Sequence, residues 1–91
     1  MPDFEPGSVW VAGAGPGDPG LLSLLALHGI QNADVIVYDA LVGDDILEFA
    51  AGNAELEYAG KRGGKPSPKQ NDITDRLVAL ARAGKRVLRL K

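Results

Sequence analysis

Ninety-one residues, 45% of them hydrophobic, suffice for one domain with a modest core, because a chain this short buries well under three quarters of the surface it exposes unfolded. A formal net charge of -2 argues against a general nucleic-acid binder, and the lack of cysteine beside a single histidine argues against a metal centre. Acids and prolines at the start, and nowhere about 18 successive apolar residues, match neither a signal peptide nor a membrane span, so a soluble, cytoplasmic protein is expected.

Residues 1–8 contain two prolines, a glycine and no periodicity, and read as a flexible leader to a single α/β domain over 9–91. Val9, Trp10, Val11 and Ala12 make a short apolar strand of the kind covered on both faces in a parallel sheet. Gly13, Gly15, Gly17 and Gly20 follow, freeing the backbone to turn sharply and to let another molecule approach its amides. Asp18 is expected to cap the next helix, with Pro19 in its first position, Leu21, Leu22, Leu24, Leu25, Leu27 and Ile30 as its apolar surface and Asn32 near its end. His28, with no partner in sequence to suggest a ligand or base, is expected to be structural or half-exposed.

A second strand is expected at Val35–Tyr38, followed at its carboxyl end by Asp39. That edge is where open α/β sheets bind ligands, yet an aspartate there can equally cap the turn into the short helix near Asp44–Phe49, which Gly52 can end. Glu55–Ala59 reads as a third strand. Lys61, Arg62, Lys65 and Lys69 then fall in a glycine-containing stretch without an acid, either a solvated loop or one that closes over an anion. Ser67-Pro68-Lys69-Gln70 has the form of a capping box opening a third helix, with Ile73, Leu77, Leu80 and Ala81 at helical spacing up to Ala83 and Gly84. Arg86–Lys91 reads as a fourth strand. Alternation of strand and helix predicts an α/β fold, a largely parallel open sheet of about four strands flanked by helices.

The glycine loop fits neither phosphate fingerprint. The dinucleotide pattern fails where Asp18 replaces its third glycine, and the P-loop ending fails for want of Gly-Lys-Ser/Thr. Its chemistry points to a ligand recognised by backbone groups and not strongly anionic there.

Gly-Ala-Gly-Pro-Gly-Asp-Pro-Gly-Leu-Leu at 13–22, Ala-Asp-Val-Ile-Val-Tyr-Asp-Ala-Leu-Val at 33–42, Gly-Lys-Arg-Gly-Gly at 60–64 and Gly-Lys-Arg-Val-Leu-Arg-Leu-Lys at 84–91 together resemble the N-terminal domain of uroporphyrinogen-III C-methyltransferases, in the tetrapyrrole methylase family. The resemblance covers 9–91 and implies methyl transfer from S-adenosylmethionine to uroporphyrinogen III, giving precorrin-2 for sirohaem or cobalamin synthesis. It implies a homodimer and a second domain, with the methyl donor between the two. It also implies cofactor contacts at Pro16 in the Gly15-Pro16-Gly17 turn, Asp39 as proton acceptor and Lys61 as proton donor, and no metal. A carboxylate and an amine at strand ends suit the loss and gain of a proton during methylation of a pyrrole carbon. Charge complementarity to a polycarboxylate substrate favours a functional part for Arg62, Lys65 and Lys69. Relatives continue after Arg-Leu-Lys with Gly-Gly-Asp-Pro, a loop that holds much of the donor, so an incomplete domain that binds the donor weakly and does not turn over is expected. Two other readings stand beside this one: a tetrapyrrole methylase acting later in cobalamin synthesis, and a non-catalytic dimerisation or ligand-binding module.

Overall fold

The computed structural model describes residues 2–16, 18–59 and 70–91. Strands β1 (Val9–Ala12), β2 (Val35–Tyr38), β3 (Glu55–Tyr58) and β4 (Val87–Leu90) alternate with helices α1 (Leu24–Asn32), α2 (Asp44–Leu47) and α3 (Gln70–Arg82). All strand pairs are parallel, in the order β1-β4-β2-β3. The α/β fold expected from the alternation is therefore the one observed.

Side-chain alternation divides the core into two layers. Ile36, Leu88 and Leu90 face Ile30 of α1 and Ile46 and Leu47 of α2, while Val35, Val37 and Val87 face Leu77 and Leu80 of α3. Ile36 and Leu88, paired in register and with no exposed surface, each contribute roughly 1.5–3 kcal/mol by burial.

The central strands are β4 and β2, and this corrects the expectation for β1. Its apolar run suggested cover on both faces, but β1 is an edge strand among the described residues and Val11 is 67% exposed. An apolar run of four records hydrophobicity, not position in the sheet. β4, placed between β1 and β2, takes up the covered site instead.

The start of α1 also differs from expectation. Asp18 Oδ1 accepts from Gly20 N at 2.9 Å, but the helix it caps is a single 3-10 turn, Pro19–Leu21. Leu22 and Ser23 are extended, and Ser23 Oγ caps α1 by accepting from Ala26 N at 3.1 Å. Ser23 is as good a cap as Asp18 and lies inside the apolar run, so the helix begins one turn later. As a result Leu21, Leu24 and Leu25 are exposed, and α1 buries Ala26, Gly29 and Ile30. Gly29 marks the closest approach: a Cβ there would lie 3.2 Å from Leu88 Cδ1 and 3.3 Å from Trp10 Cε3.

The leader segment carries Phe4 into the core. Phe4 is 5% exposed and stacks on Trp10 with ring centroids 4.3 Å apart. Gly7 N donates to Lys85 O, and Val87 N donates to Ser8 O, which continues the β1–β4 ladder towards the amino end.

α3 begins at Gln70, and the capping box proposed at Ser67-Pro68 lies outside the described residues. Its end follows the expectation at Gly84. Gly84 adopts φ +87, Gly84 N donates to Ala81 O and Lys85 N to Leu80 O, the paired bonds of a Schellman stop. Arg76 of α3 forks onto Glu57 of β3, with Nη2–Oε1 at 2.8 Å, and these hydrogen bonds, with the Glu57 charge, push the guanidinium pKa above its ordinary value.

Candidate active site

The carboxyl ends of the strands gather the glycine loop, Asp39, Ala59 and Lys91. Ala14 N donates to Lys91 O at 2.8 Å and Lys91 N donates to Ala12 O at 3.1 Å, so the glycine loop is stitched to the end of β4. Ala14 is buried and its amide is used by the fold. Gly15 holds φ +78, a conformation that other residues adopt at a steric cost, and Pro16 is exposed. Gly17 lies outside the described residues. The amides of Gly20, Leu21 and Leu22 are occupied within the 3-10 turn by Asp18 and Pro19, so they are not free to meet a ligand.

Asp39 follows β2 on the far side of β4 from the loop, two strand spacings or ~10 Å across the sheet. Its two oxygens do different things. Oδ1 accepts from Leu41 N at 3.1 Å, the turn-capping contact that the sequence left open, while Oδ2 lies 3.5 Å from Arg89 Nη2. The side chain keeps 25% of its surface exposed, enough to meet a ligand.

Connections from β1 and β2 lead to helices on one face, whereas that from β3 leads to α3 on the other. The resulting crevice between the ends of β2 and β3 is the place where open α/β sheets bind ligands. Tyr38 and Tyr58 end these strands with ring centroids 5.4 Å apart, and Ala59 N donates to Tyr38 O at 2.7 Å. The chain leaves the described residues just after Ala59, and Lys61, Arg62, Lys65 and Lys69 fall outside them. A pocket of about 130 Å³ opens on the α3 side of this edge, lined by Val37, Tyr58, Ala59 and Ile73 together with the Glu57–Arg76 pair.

Arg89 is the residue that sequence reasoning missed. It sits in central β4 on the α3 face, 5% exposed, and its Nη1 donates to Val37 O at 3.3 Å and Leu90 O at 3.1 Å. The signal was present: period two puts position 89 on the same inward face as Val87, where a charge calls for a partner.

The opposite, amino edge explains other motif residues structurally. Asp34 Oδ2 accepts from Arg86 N at 2.7 Å, and Arg86 Nε donates to Phe4 O at 2.7 Å. His28 belongs here too: Nε2 donates to Pro2 O at 3.0 Å, which leaves Nδ1 to accept from Asn32 Nδ2 at 3.3 Å. It is half-buried and structural, as expected. A polar groove of about 500 Å³ lies along this edge, away from Asp39. Among the described residues no group of three or more histidine or carboxylate side chains could hold a metal, and no helix is long and apolar enough to cross a membrane.

Residues 8–91 match the family model of the tetrapyrrole (corrin/porphyrin) methylases. The chain is 67% identical over all 91 residues to a uroporphyrinogen-III C-methyltransferase from Sinorhizobium sp, of which it spans 32%. It resembles the crystal structure of uroporphyrin-III-C-methyltransferase from Thermus thermophilus with a TM-score of 0.76 at 41% identity, covering 91% of this chain and 33% of that one. The same enzyme complexed with S-adenyl homocysteine matches at a TM-score of 0.71 and 38% identity, covering 91% of this chain and 31% of the other. With a family match that runs from the start of β1 to the last residue, the chain belongs to the tetrapyrrole methylases.

Proposed function

We propose that these residues form the donor-binding and proton-accepting part of a uroporphyrinogen-III C-methyltransferase, the remainder of the activity depending on sequence such as the relatives carry beyond the third that they share with this chain. The observation that carries the reading is Asp39, a partly exposed carboxylate at the carboxyl end of β2, in a chain whose relatives bear that name.

The glycine loop fits S-adenosylmethionine. Between Gly13 and Leu25 there is no lysine or arginine, which suits a ligand with a sulfonium cation and no phosphate. A Cβ at Gly13 would meet nothing within 4 Å, so the loop has open space beside its backbone, and Gly15, Pro16 and Gly17 are the residues that would line the donor. When bound, the donor supplies an electrophilic methyl group. Asp39 then takes the proton that the tetrapyrrole loses as the methyl–sulfur bond breaks and the new carbon–carbon bond forms, the donor leaving as a neutral thioether, and Lys61, which follows β3 in the sequence, is assigned as the proton donor. Arg62, Lys65 and Lys69 are assigned to the substrate carboxylates.

The reading includes a homodimer and a cytoplasmic location. Exposed Leu21, Leu24, Leu25 and Leu41, all on connections leaving the carboxyl edge, favour cover by further protein. In a full-length chain carrying these 91 residues, Asp39→Asn is expected to lower kcat by about 100-fold or more, the scale of a lost general base, with donor affinity unchanged. Unchanged turnover removes Asp39 as the proton acceptor. A later corrin intermediate methylated in preference to uroporphyrinogen III would move the chain to another branch of the family.

A further inference from the structure

Arg89 stands in the sheet interior with Val11 and Val37 as its register neighbours. An apolar side chain of similar length would fill that space without losing the hydration of a guanidinium, and buried ion pairs replaced in this way often leave a protein as stable or more so. Stability alone is therefore a poor reason for an arginine here. What the arginine does is donate to two carbonyls at the carboxyl edge, Val37 O at 3.3 Å and Leu90 O at 3.1 Å, and form an ion pair, at 3.5 Å, with the Oδ2 of Asp39. Its Nε has no hydrogen-bond partner among the described residues, so the site does not satisfy the guanidinium in full. Its arrangement is set by what the terminal nitrogens reach.

The consequence falls on Asp39. Leu41 N holds Oδ1 at 3.1 Å from the turn side, and Arg89 approaches Oδ2 from inside the sheet. With each oxygen approached by a separate group, the carboxylate is restricted about its last torsion while a quarter of the side chain stays open to a ligand. We infer that Arg89 is the positioning residue for Asp39, fixing the plane of the proton-accepting carboxylate and locking it to the ends of β2 and β4. This rests on the reading of Asp39 as proton acceptor. A planar guanidinium can hold the two carbonyls through one nitrogen and face the carboxylate with the other; a lysine ammonium keeps the charge but has a single nitrogen for all three oxygens.

The test uses a full-length chain carrying these 91 residues, with S-adenosylmethionine and uroporphyrinogen III as substrates, and the variants Arg89→Met, Arg89→Lys, Asp39→Asn and the Arg89→Met/Asp39→Asn pair. Arg89→Met is expected to unfold within a few degrees of the wild type and to lose about 10- to 100-fold in kcat, the usual scale for removing a group that orients a first contact, with KM for the methyl donor unchanged. Arg89→Lys is expected to recover part of that loss, and the double variant to be no slower than Asp39→Asn alone, because both changes remove one device. Undiminished kcat in Arg89→Met, or losses that multiply in the double variant, overturn the inference. Should Arg89→Met fail to fold, Arg89→Lys decides: kcat reduced at an unchanged donor KM supports positioning, and wild-type kcat refutes it. Full turnover in Asp39→Asn would instead strike the underlying assignment of the base, a result distinct from any of these.

Discussion

Truncating Phe4 to alanine tests whether the first residues belong to the folded unit. Phe4 keeps only 5% of its surface exposed and lies parallel to Trp10, with centroids 4.3 Å apart and planes 6° from parallel. Burial of such a ring is worth about 2–3 kcal/mol, and an aromatic pair adds about 0.5–1.5 kcal/mol. The amino-edge groove borders Phe4, so water can enter the space vacated and soften the cavity penalty. Phe4→Ala should therefore cost about 3 kcal/mol, or roughly 12–24 °C in Tm at the ~4–8 °C per kcal/mol of a domain this size. Urea unfolding followed by far-ultraviolet circular dichroism measures it, with Phe4→Leu, which keeps most of the apolar area and loses the stack, expected at about 1 kcal/mol. A loss below about 1 kcal/mol for Phe4→Ala would show that the segment is only loosely held and would refute the packing argument.

The displaced helix start gives a second expectation. Ser23→Ala should cost about 1 kcal/mol and fray the first turn of α1, seen as faster amide exchange at Ala26, whereas Asp18→Ala should leave exchange in α1 unchanged. At Gly29 a β-branched side chain would have to displace Leu88 and Trp10 from contacts already at 3.2 and 3.3 Å, so Gly29→Val should destabilise by about 1–3 kcal/mol in the same urea assay.

The strands were legible because Val35–Tyr38 is a short apolar run and Arg86–Lys91 sets Val87, Leu88 and Leu90 among basic residues after a glycine stop, and Gly84 marked the end of α3 for a reason that the structure bears out, its φ of +87. Their order was not legible. Nothing local to β1 says that β4, which lies more than seventy residues later in the sequence, will pair with it and leave Val11 exposed. The α1 start misled because Asp18 and Ser23 carry the same capping signal and only packing chooses between them. Phe4 was hidden by the prolines around it, whose turn signals say nothing of where a neighbouring ring lies. In the candidate site, Asp39 could be located at a strand end by pattern alone, but its contact with Arg89 joins residues fifty apart and needed the β2–β4 register.

Methyl transfer to uroporphyrinogen III is measured by supplying a full-length chain carrying these 91 residues with methyl-labelled S-adenosylmethionine and following label into uroporphyrinogen III, in parallel with a later corrin intermediate. Carbon-bound label in uroporphyrinogen III, formed in preference to any product from the later intermediate, is the expected result. Transfer to the later intermediate alone, or to neither, would contradict the proposed function.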